Sequence, residues 1–329
     1  IMFSVSMVTG TLIAISSNSW MSMWVGLEVN LLSIIPLMSN IKNKMESEAA
    51  MKYFITQAMA STIFMLAIII MLSNNDSLMS SKMSSMILDL AILTKMGAAP
   101  LHFWFPEVME GLSWINAMIM LTWQKIAPMI IFMYSVKPLM LTTSVIIASM
   151  IISGLMGINQ TSMRKILAYS SINHIGWMIA AMITNQTLWM IYFIIYTLMT
   201  INITSMFKTM NISFMSQLIN AMNQSKTIKI MFSLNFLSLG GIPPFIGFFP
   251  KWITINSLIQ ENMFLLTFIM IVMTLMTLVF YMRITFTSGI MATTETTVIQ
   301  KNQMDQKLII SNFVVLSLIA SCPMMISFI

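Results

Sequence analysis

The sequence predicts an all-α membrane protein with about 11 transmembrane helices, and two observations lead to this prediction. Hydrophobic residues make up 58% of the chain and charged residues only 8%. A soluble domain usually has about 25% charged residues, so this chain cannot cover its surface against water. Apolar windows of roughly twenty residues recur along the whole length, as membrane helices require. A membrane β-barrel would instead show alternating segments of about ten residues.

The apolar windows place eleven segments along the chain. They are about 1–18, 20–39, 50–72, 83–104, 111–134, 138–158, 165–183, 187–209, 227–259, 263–285 and 307–328. The ninth segment is too long for one straight span and holds Pro243 and Pro244 near its middle. Because proline removes a backbone donor and clashes with the preceding turn, this segment is predicted to be a broken helix in two halves.

Another broken helix is predicted in the stretch 92–114, ILTKMGAAPLHFWFPEVMEGLSW. It begins as an apolar helix that carries Lys95, and then meets Gly97 and Pro100. A lysine in lipid is costly, and broken backbone at membrane depth survives only where protein or water surrounds it. These features indicate a buried, partly hydrated ion site. The alternative is a loop just outside the membrane with Lys95 snorkelling, and this stretch alone does not decide between them.

The spacing of the two broken segments predicts the domain organisation. We expect one membrane domain over residues 1–329, with a first five-helix repeat at 1–134, a second at 138–285, and a loop plus the last helix at 286–329. The broken segments are the fourth and the ninth. An odd separation gives them opposite orientations, as in an antiporter-like inverted repeat.

Basic residues predict the orientation of the helices. If alternate loops lie on opposite sides, the loops on the N-terminal side hold eleven Lys and Arg residues, and the other side holds two. Such residues concentrate on the side from which the chain inserts, so the N-terminus is predicted on that side. Short basic clusters between spans are ordinary topology signals, so we expect no binding to nucleic acid. The loops on the N-terminal side hold Lys42, Lys44, Lys52, Arg164, Lys165, Lys208, Lys226, Lys229, Arg283, Lys301 and Lys307, whereas those on the other side hold Lys82 and Lys137.

Once the charges of loops and interfaces are set aside, five titratable residues are predicted at depth in the membrane: Glu28, Lys95, Lys125, His174 and Lys251. Each needs a partner, water or neutralisation in the membrane. Desolvation disfavours the charged form of each group, which suits side chains that exchange protons. With one carboxylate at depth, a sodium or calcium cage of several oxygens is disfavoured. Structural alternatives stay open, namely an ion pair that only joins helices, a snorkelling lysine and a histidine that only packs.

The sequence lacks the residues that several kinds of site require. The chain has one cysteine, Cys322, and two histidines, and it contains no GxGxxG motif or P-loop. This excludes a disulfide framework, a thiolate cluster for zinc or iron–sulfur, and a recognisable nucleotide site. We expect no metal or cofactor on this chain. His102 is predicted to form a local hydrogen bond, and Asp89, which lies six residues before Lys95, is predicted at the surface or near the interface.

Six stretches resemble NADH–ubiquinone oxidoreductase subunit 2, the mitochondrially encoded, antiporter-like subunit of respiratory complex I, in an invertebrate-type version. They are WVGLEVNLLSIIP, KYFITQAMAS, KMGAAPLHFWFPEVMEGLSW, LTWQKIAP, GINQTSMRKILAYSSINHIGW and LGGIPPFIGFFPKW. The resemblance runs through residues 20–260, and the last seventy residues match only as a hydrophobic pattern. Animal members of this family resemble the longer members without three N-terminal helices, which fits eleven spans.

The resemblance implies roles for the residues at depth. Glu28 of GLEVN pairs with Lys95 of the broken helix, and Lys125 of TWQK is the central proton carrier. Lys251, after the Pro-Pro break, is the distal carrier, and His174 lies on the connecting water path. The family varies between Lys, His and Glu at the distal position, so the direction of proton exit or entry stays open.

The resemblance also implies a function and a setting. The chain is expected to translocate protons, while NADH oxidation and quinone reduction use FMN, iron–sulfur clusters and ubiquinone elsewhere in the complex. Implied partners are other membrane-arm subunits, especially subunit 4 and the small subunit 4L, and lipids such as cardiolipin. The 41 methionines suggest an animal mitochondrial genetic code, and Ile1 without a targeting peptide fits synthesis inside the organelle. We therefore expect the mitochondrial inner membrane, with the N-terminus in the matrix and the C-terminus in the intermembrane space.

Three other functions are kept as alternatives. A stand-alone cation/proton antiporter would act without NADH and would purify alone. A structural scaffold would use the charges only to join helices, so loss of Lys125 would harm assembly but not pumping per electron. A redox enzyme on this chain is the weakest alternative because the cofactor ligands are missing.

Overall fold

The computed structural model describes residues 1–40, 43–73, 78–135, 139–222, 226–243 and 245–290. This part of the chain is helical, and its β-structure amounts to one isolated antiparallel bridge between Ser162 and Phe214. The all-α prediction is therefore confirmed. The chain divides into two compact units, Ile1–Ser149 and Met150–Ile329. The proposed internal repeat, with its boundaries at 134 and 138, stays a prediction.

Eight helices begin among the described residues of the first unit. They are α1 Met2–Ser16, α2 Trp20–Met38, α3 Lys44–Ser73, α4 Leu78–Met96, α5 Trp104–Gly111, α6 Trp114–Leu121, α7 Trp123–Tyr134 and α8 Leu139–Ile158, the last of which crosses the unit boundary. Helices α1 and α2 pack so closely that a Cβ atom on Gly26 would lie 2.5 Å from the backbone nitrogen of Ala14. Glycine is required at this crossing because any side chain would separate the two helices.

The chain between α4 and α5 is the first interruption. Helix α4 ends at Met96, and Gly97 adopts a left-handed φ of 73°. Pro100 lies in the non-helical residues that follow, and α5 begins at Trp104. The predicted segment 83–104 therefore extended too far, because the glycine ends the helix before the proline is reached.

A further interruption, which the sequence analysis did not predict, divides α6 from α7 at Thr122. The predicted segment 111–134 was one helix, but Thr122 has φ −114° and ψ −73° between the two. Pro128 lies inside α7 and has no N–H for the carbonyl of Gln124, which weakens the helical hydrogen bonding in this region. Lys125 lies in the first turn after the interruption, and its backbone N–H bonds to the carbonyl of Thr122 at 3.3 Å.

The described helices of the second unit include one that is almost wholly buried. They are α9 Met163–Thr184, α10 Gln186–Met210, α11 Met215–Met222, α12 Lys226–Gly240, α13 Phe248–Gln260 and α14 Phe264–Ile290. Helix α9 is buried over 94% of its most apolar window. The short helix α11 lies between the predicted segments 187–209 and 227–259. Pro243 lies in the turn between α12 and α13, whereas Pro244 lies outside the described residues.

Within the described residues, seven stretches are long and apolar enough to cross a membrane by themselves. They are Trp20–Met38, Lys44–Ser73, Trp114–Tyr134, Leu139–Ile158, Met163–Thr184, Gln186–Met210 and Phe264–Thr287. Helix α1 and the half-helices α5, α12 and α13 are shorter, whereas α4 is as long as α2 but carries three charged residues, Lys82, Asp89 and Lys95. The count of eleven spans stays a prediction, since the last predicted segment, 307–328, lies outside the described residues together with Cys322, Lys301 and Lys307.

Candidate proton-transfer site

An ion pair joins α2 to the end of α4. The Lys95 Nζ atom lies 3.8 Å from Glu28 Oε1, and the two side chains are 4% and 24% exposed. This distance is longer than a hydrogen bond, so the attraction is between the two charges. Lys95 is in the last turn of α4, where the negative end of the helix dipole favours a cation.

Lys125 lies near the N-terminal end of its helix, whereas Lys95 lies near the C-terminal end of α4. Lys125 is only 2% exposed and is in the first turn of α7. Its Nζ atom lies 5.8 Å from the centre of the Phe105 ring on α5, within the range of a cation–π contact. The positive end of the α7 dipole disfavours a charge here, whereas the end of α4 favours one at Lys95. Lys95 and Lys125, the two candidate lysines of this unit, therefore occupy electrostatically different positions.

Aromatic and backbone contacts hold the interrupted region beside these lysines. The Trp104 indole donates to the carbonyl of Thr94 at 3.1 Å, and its ring lies 5.7 Å from that of Tyr53 on α3. Where α5 reaches the surface, Lys52 bonds to Glu107 at 3.1 Å. These contacts attach α5 to both α3 and α4, and so they fix the short half-helix that carries Phe105.

Lys251 occupies the interruption in the second unit. It is 6% exposed, and its amine donates to the carbonyl of Gly240 at 2.8 Å. The same amine lies 6.0 Å from the centre of the Trp177 ring. Gly241 has φ 76°, and a Cβ atom there would lie 2.9 Å from Lys251 Cδ. Glycine at 241 therefore leaves room for the lysine to reach the end of α12.

His174 lies on the buried helix α9, three residues before Trp177 and so on the same helix face. It is 2% exposed, and its Nδ1 atom is 2.9 Å from the Tyr192 hydroxyl of α10. The Tyr196 ring centre lies 4.9 Å from that of His174. Neither tyrosine was predicted from the sequence. A signal was present, because a tyrosine in an apolar helix needs a partner for its hydroxyl.

The candidate residues fall into two groups. Glu28, Lys95 and Lys125 lie in the first unit, whereas His174 and Lys251 lie in the second. All five are buried or half-buried side chains that can bind and release a proton. The arrangement can therefore hold protons within each unit and respond to a change of charge at a neighbouring group.

The sequence also predicted the surroundings of two residues outside this set, His102 and Asp89. His102 Nδ1 lies 3.2 Å from the carbonyl of Pro100, which is the local hydrogen bond that was predicted. The surface position predicted for Asp89 is wrong, because this residue is fully buried. Helix α4 packs against both α3 and α7, so more than one of its faces is covered. Helical spacing separated Asp89 from Lys95, but it could not show that a second face was also buried.

Comparisons with known proteins identify relatives of the whole chain. A family model described as "NADH:quinone oxidoreductase/Mrp antiporter, TM" matches residues 17–277. The NADH-ubiquinone oxidoreductase chain 2 of Anopheles gambiae is 46% identical over 95% of this chain and 93% of its own length. The protein of the same name from Equus asinus is 40% identical, over 85% of this chain and 83% of its own length.

Solved structures share the fold at lower identity. A chain of respiratory complex I from Thermus thermophilus with bound aureothin superposes with TM-score 0.86 at 20% identity, covering 97% of this chain and 77% of that chain. A chain of an Mrp complex from a Dietzia species gives TM-score 0.75 at 16% identity, covering 86% and 59%. The family model over residues 17–277 and the relative at 46% identity show that the chain belongs to the NADH-ubiquinone oxidoreductase chain 2 family of antiporter-like membrane proteins.

Proposed function

We propose that this chain is a proton-translocating subunit in the membrane arm of NADH:ubiquinone oxidoreductase. The observation that carries the proposal is the burial of an ion pair, Glu28 with Lys95, and of a second lysine of the same unit, Lys125, at interruptions of membrane helices. Such groups are costly in a membrane and mark ion or proton pathways. Relatives named for NADH–ubiquinone oxidation at 46% identity support the assignment to that complex.

Charge coupling supplies the mechanism. At an effective dielectric constant of about 20, two unit charges about 4 Å apart interact by roughly 4 kcal/mol. A change in the separation or charge of Glu28 and Lys95 would therefore alter the proton affinity of a nearby lysine. In the proposed cycle Lys125 responds to that change and exchanges its proton with Lys251, with His174 on the connecting path. Exposure of the loaded group must alternate between the two sides of the membrane, since a continuous path would leak.

The redox steps are proposed to occur on other subunits. FMN, iron–sulfur clusters and ubiquinone would be bound elsewhere in the complex, and this chain would contribute proton transfer alone. We propose the mitochondrial inner membrane as the location, with the N-terminus in the matrix and the C-terminus in the intermembrane space. The proposed neighbours are subunit 4, the small subunit 4L and lipids such as cardiolipin.

A stand-alone cation/proton antiporter is the second candidate, and the likeness to a chain of an Mrp complex favours it. The two proposals differ in the proteins with which the chain associates. Under the first proposal the chain purifies within a large assembly that oxidises NADH. Under the second it exchanges ions without NADH and purifies without NADH-oxidising subunits.

A native gel separates the candidates. Membranes from the source are solubilised gently, the gel is stained for NADH oxidation, and this chain is located by mass spectrometry. Migration with a very large NADH-oxidising band is expected. Migration alone or in a small oligomer would overturn the assignment to the respiratory complex, and ion flux in liposomes would then be measured.

A further inference from the structure

A reciprocal pair of amide side chains joins α2 to α7 next to the candidate site. Asn30 Nδ2 donates to Gln124 Oε1 at 2.9 Å, and Gln124 Nε2 donates to Asn30 Oδ1 at 3.0 Å. Asn30 is 4% exposed, and the Tyr53 hydroxyl approaches Gln124 Oε1 at 3.5 Å. Each amide satisfies the other, which removes most of the penalty for burying two polar groups.

A second hydrogen bond shows how the two segments are aligned. The Asn116 side chain on α6 donates to the carbonyl of Leu37 on α2 at 3.0 Å. Leu37 lies seven residues after Asn30, whereas Asn116 lies eight residues before Gln124. Residue numbers therefore rise along α2 as they fall along α6 and α7. The two segments pack antiparallel, and the reciprocal amide pair, which needs both side chains at one level, sets their register beside Lys125.

This register places two of the titratable residues at one height. Glu28 precedes Asn30 by two residues, and Lys125 follows Gln124 by one. A helix rises about 1.5 Å per residue, and in an antiparallel pair these two displacements point the same way. Glu28 and Lys125 thus lie on the same side of the amide pair, at levels that differ by only about 2 Å.

We propose that Asn30 and Gln124 are positioning residues that fix the register between the helix of Glu28 and the helix of Lys125. Buried amides that bond to one another are known to specify the register of packed helices at some cost in stability. A slip of one helical turn would move Lys125 about 5.4 Å along its neighbour. This inference rests on the proposed function, since it assigns the pair a role in proton transfer through Lys125.

The test uses the assembled NADH-oxidising complex in sealed membrane vesicles. The first variant replaces both amides, Asn30→Leu with Gln124→Leu, so that no single amide is left buried without its partner. The second exchanges them, Asn30→Gln with Gln124→Asn, and keeps the pair. The matched control is Asn116→Leu, which removes the other hydrogen bond between the same segments. The quantity of assembled complex, the rate of proton transfer and the rate of NADH oxidation are measured for each variant.

The expected result is an assembled double-leucine variant that moves protons roughly tenfold more slowly or worse, since a displacement of about 1 Å can cost about a hundredfold in rate. The amide exchange recovers at least half of the wild-type rate, and Asn116→Leu moves protons at the wild-type rate. Wild-type transfer in the double-leucine variant would overturn the proposal, as would an equal loss in Asn116→Leu. If the double-leucine variant does not assemble, the amide exchange decides, and an assembled exchange variant that fails to restore transfer overturns the proposal.

Lys125→Met is measured in parallel to distinguish a failure of the proposed function from a failure of the register role. Normal proton transfer in this variant would overturn the proposed function itself. Loss of transfer in Lys125→Met, together with normal transfer in the double-leucine variant, would overturn the register role alone.

Discussion

Lys95 Nζ lies 3.8 Å from Glu28 Oε1, which places a buried amine against a carboxylate at the end of an interrupted helix. Breaking such a pair from one side leaves a charge without its partner, and this usually costs several kcal/mol. Removing both charges costs much less, because neither group then stays buried and charged. The pair is therefore open to a double-mutant test.

We predict that Glu28→Gln lowers the heat resistance of the assembled complex more than the double variant Glu28→Gln with Lys95→Met does. The physical reason is the unpaired amine of Lys95 in the single variant, with an expected cost of roughly 3 kcal/mol. Half-lives of NADH-oxidising activity at raised temperature measure the difference. Glu48→Gln is the control, since its side chain is 57% exposed in its pair with Lys52, and such pairs contribute less than about 1 kcal/mol. Equal losses in the single and double variants would contradict the prediction.

We predict that Gly241→Ala slows proton transfer while the complex still assembles. The new Cβ atom would lie 2.9 Å from Lys251 Cδ and 3.0 Å from Lys251 Nζ, so the amine must leave the Gly240 carbonyl. The left-handed φ of 76° adds a strain of about 1–2 kcal/mol for alanine. The rate of proton transfer by the assembled complex is measured, with Gly154→Ala on helix α8 as the control. Unchanged transfer in Gly241→Ala would show that the position of the Lys251 amine does not limit the process.

We predict that Tyr192→Phe slows proton transfer several-fold without preventing assembly. The substitution keeps the ring and removes the hydroxyl that lies 2.9 Å from His174 Nδ1, which costs about 1–3 kcal/mol when the partner stays buried. It therefore tests His174 without altering the histidine itself. Tyr134→Phe is the control, since Tyr134 is 54% exposed. A wild-type rate in Tyr192→Phe would indicate that His174 only packs between helices.

The sequence was a good guide to the helices because burial in lipid imposes an unmistakable composition on each span. It was a weaker guide to where helices stop. Pro100 marked the first interruption, but Gly97 ends α4 earlier through its left-handed backbone. The interruption at Thr122 carries no glycine or proline of its own, and its signal was Pro128, six residues further on in α7.

Contacts between distant residues are the part that no pattern predicts. Asn30 and Gln124 are 94 positions apart, and nothing in the local sequence of either pairs them. The burial of Asp89 was missed for the same reason, since it depends on which helices cover α4. The pairing of Glu28 with Lys95 was expected only through the family resemblance, and the structure places the two side chains within ion-pair distance.

The most direct test of the central claim is proton translocation by the assembled complex that carries Lys125→Met. Lys125 is 2% exposed, so its replacement by an apolar side chain of similar length removes the proton carrier and preserves packing. Lys208→Met, at an exposed position near the end of α10, is the matched control. The account predicts normal assembly of both variants, and a loss of roughly a hundredfold in proton transfer for Lys125→Met alone, the usual scale for removing a group that carries the proton. Proton transfer at the wild-type rate in an assembled Lys125→Met complex would contradict it.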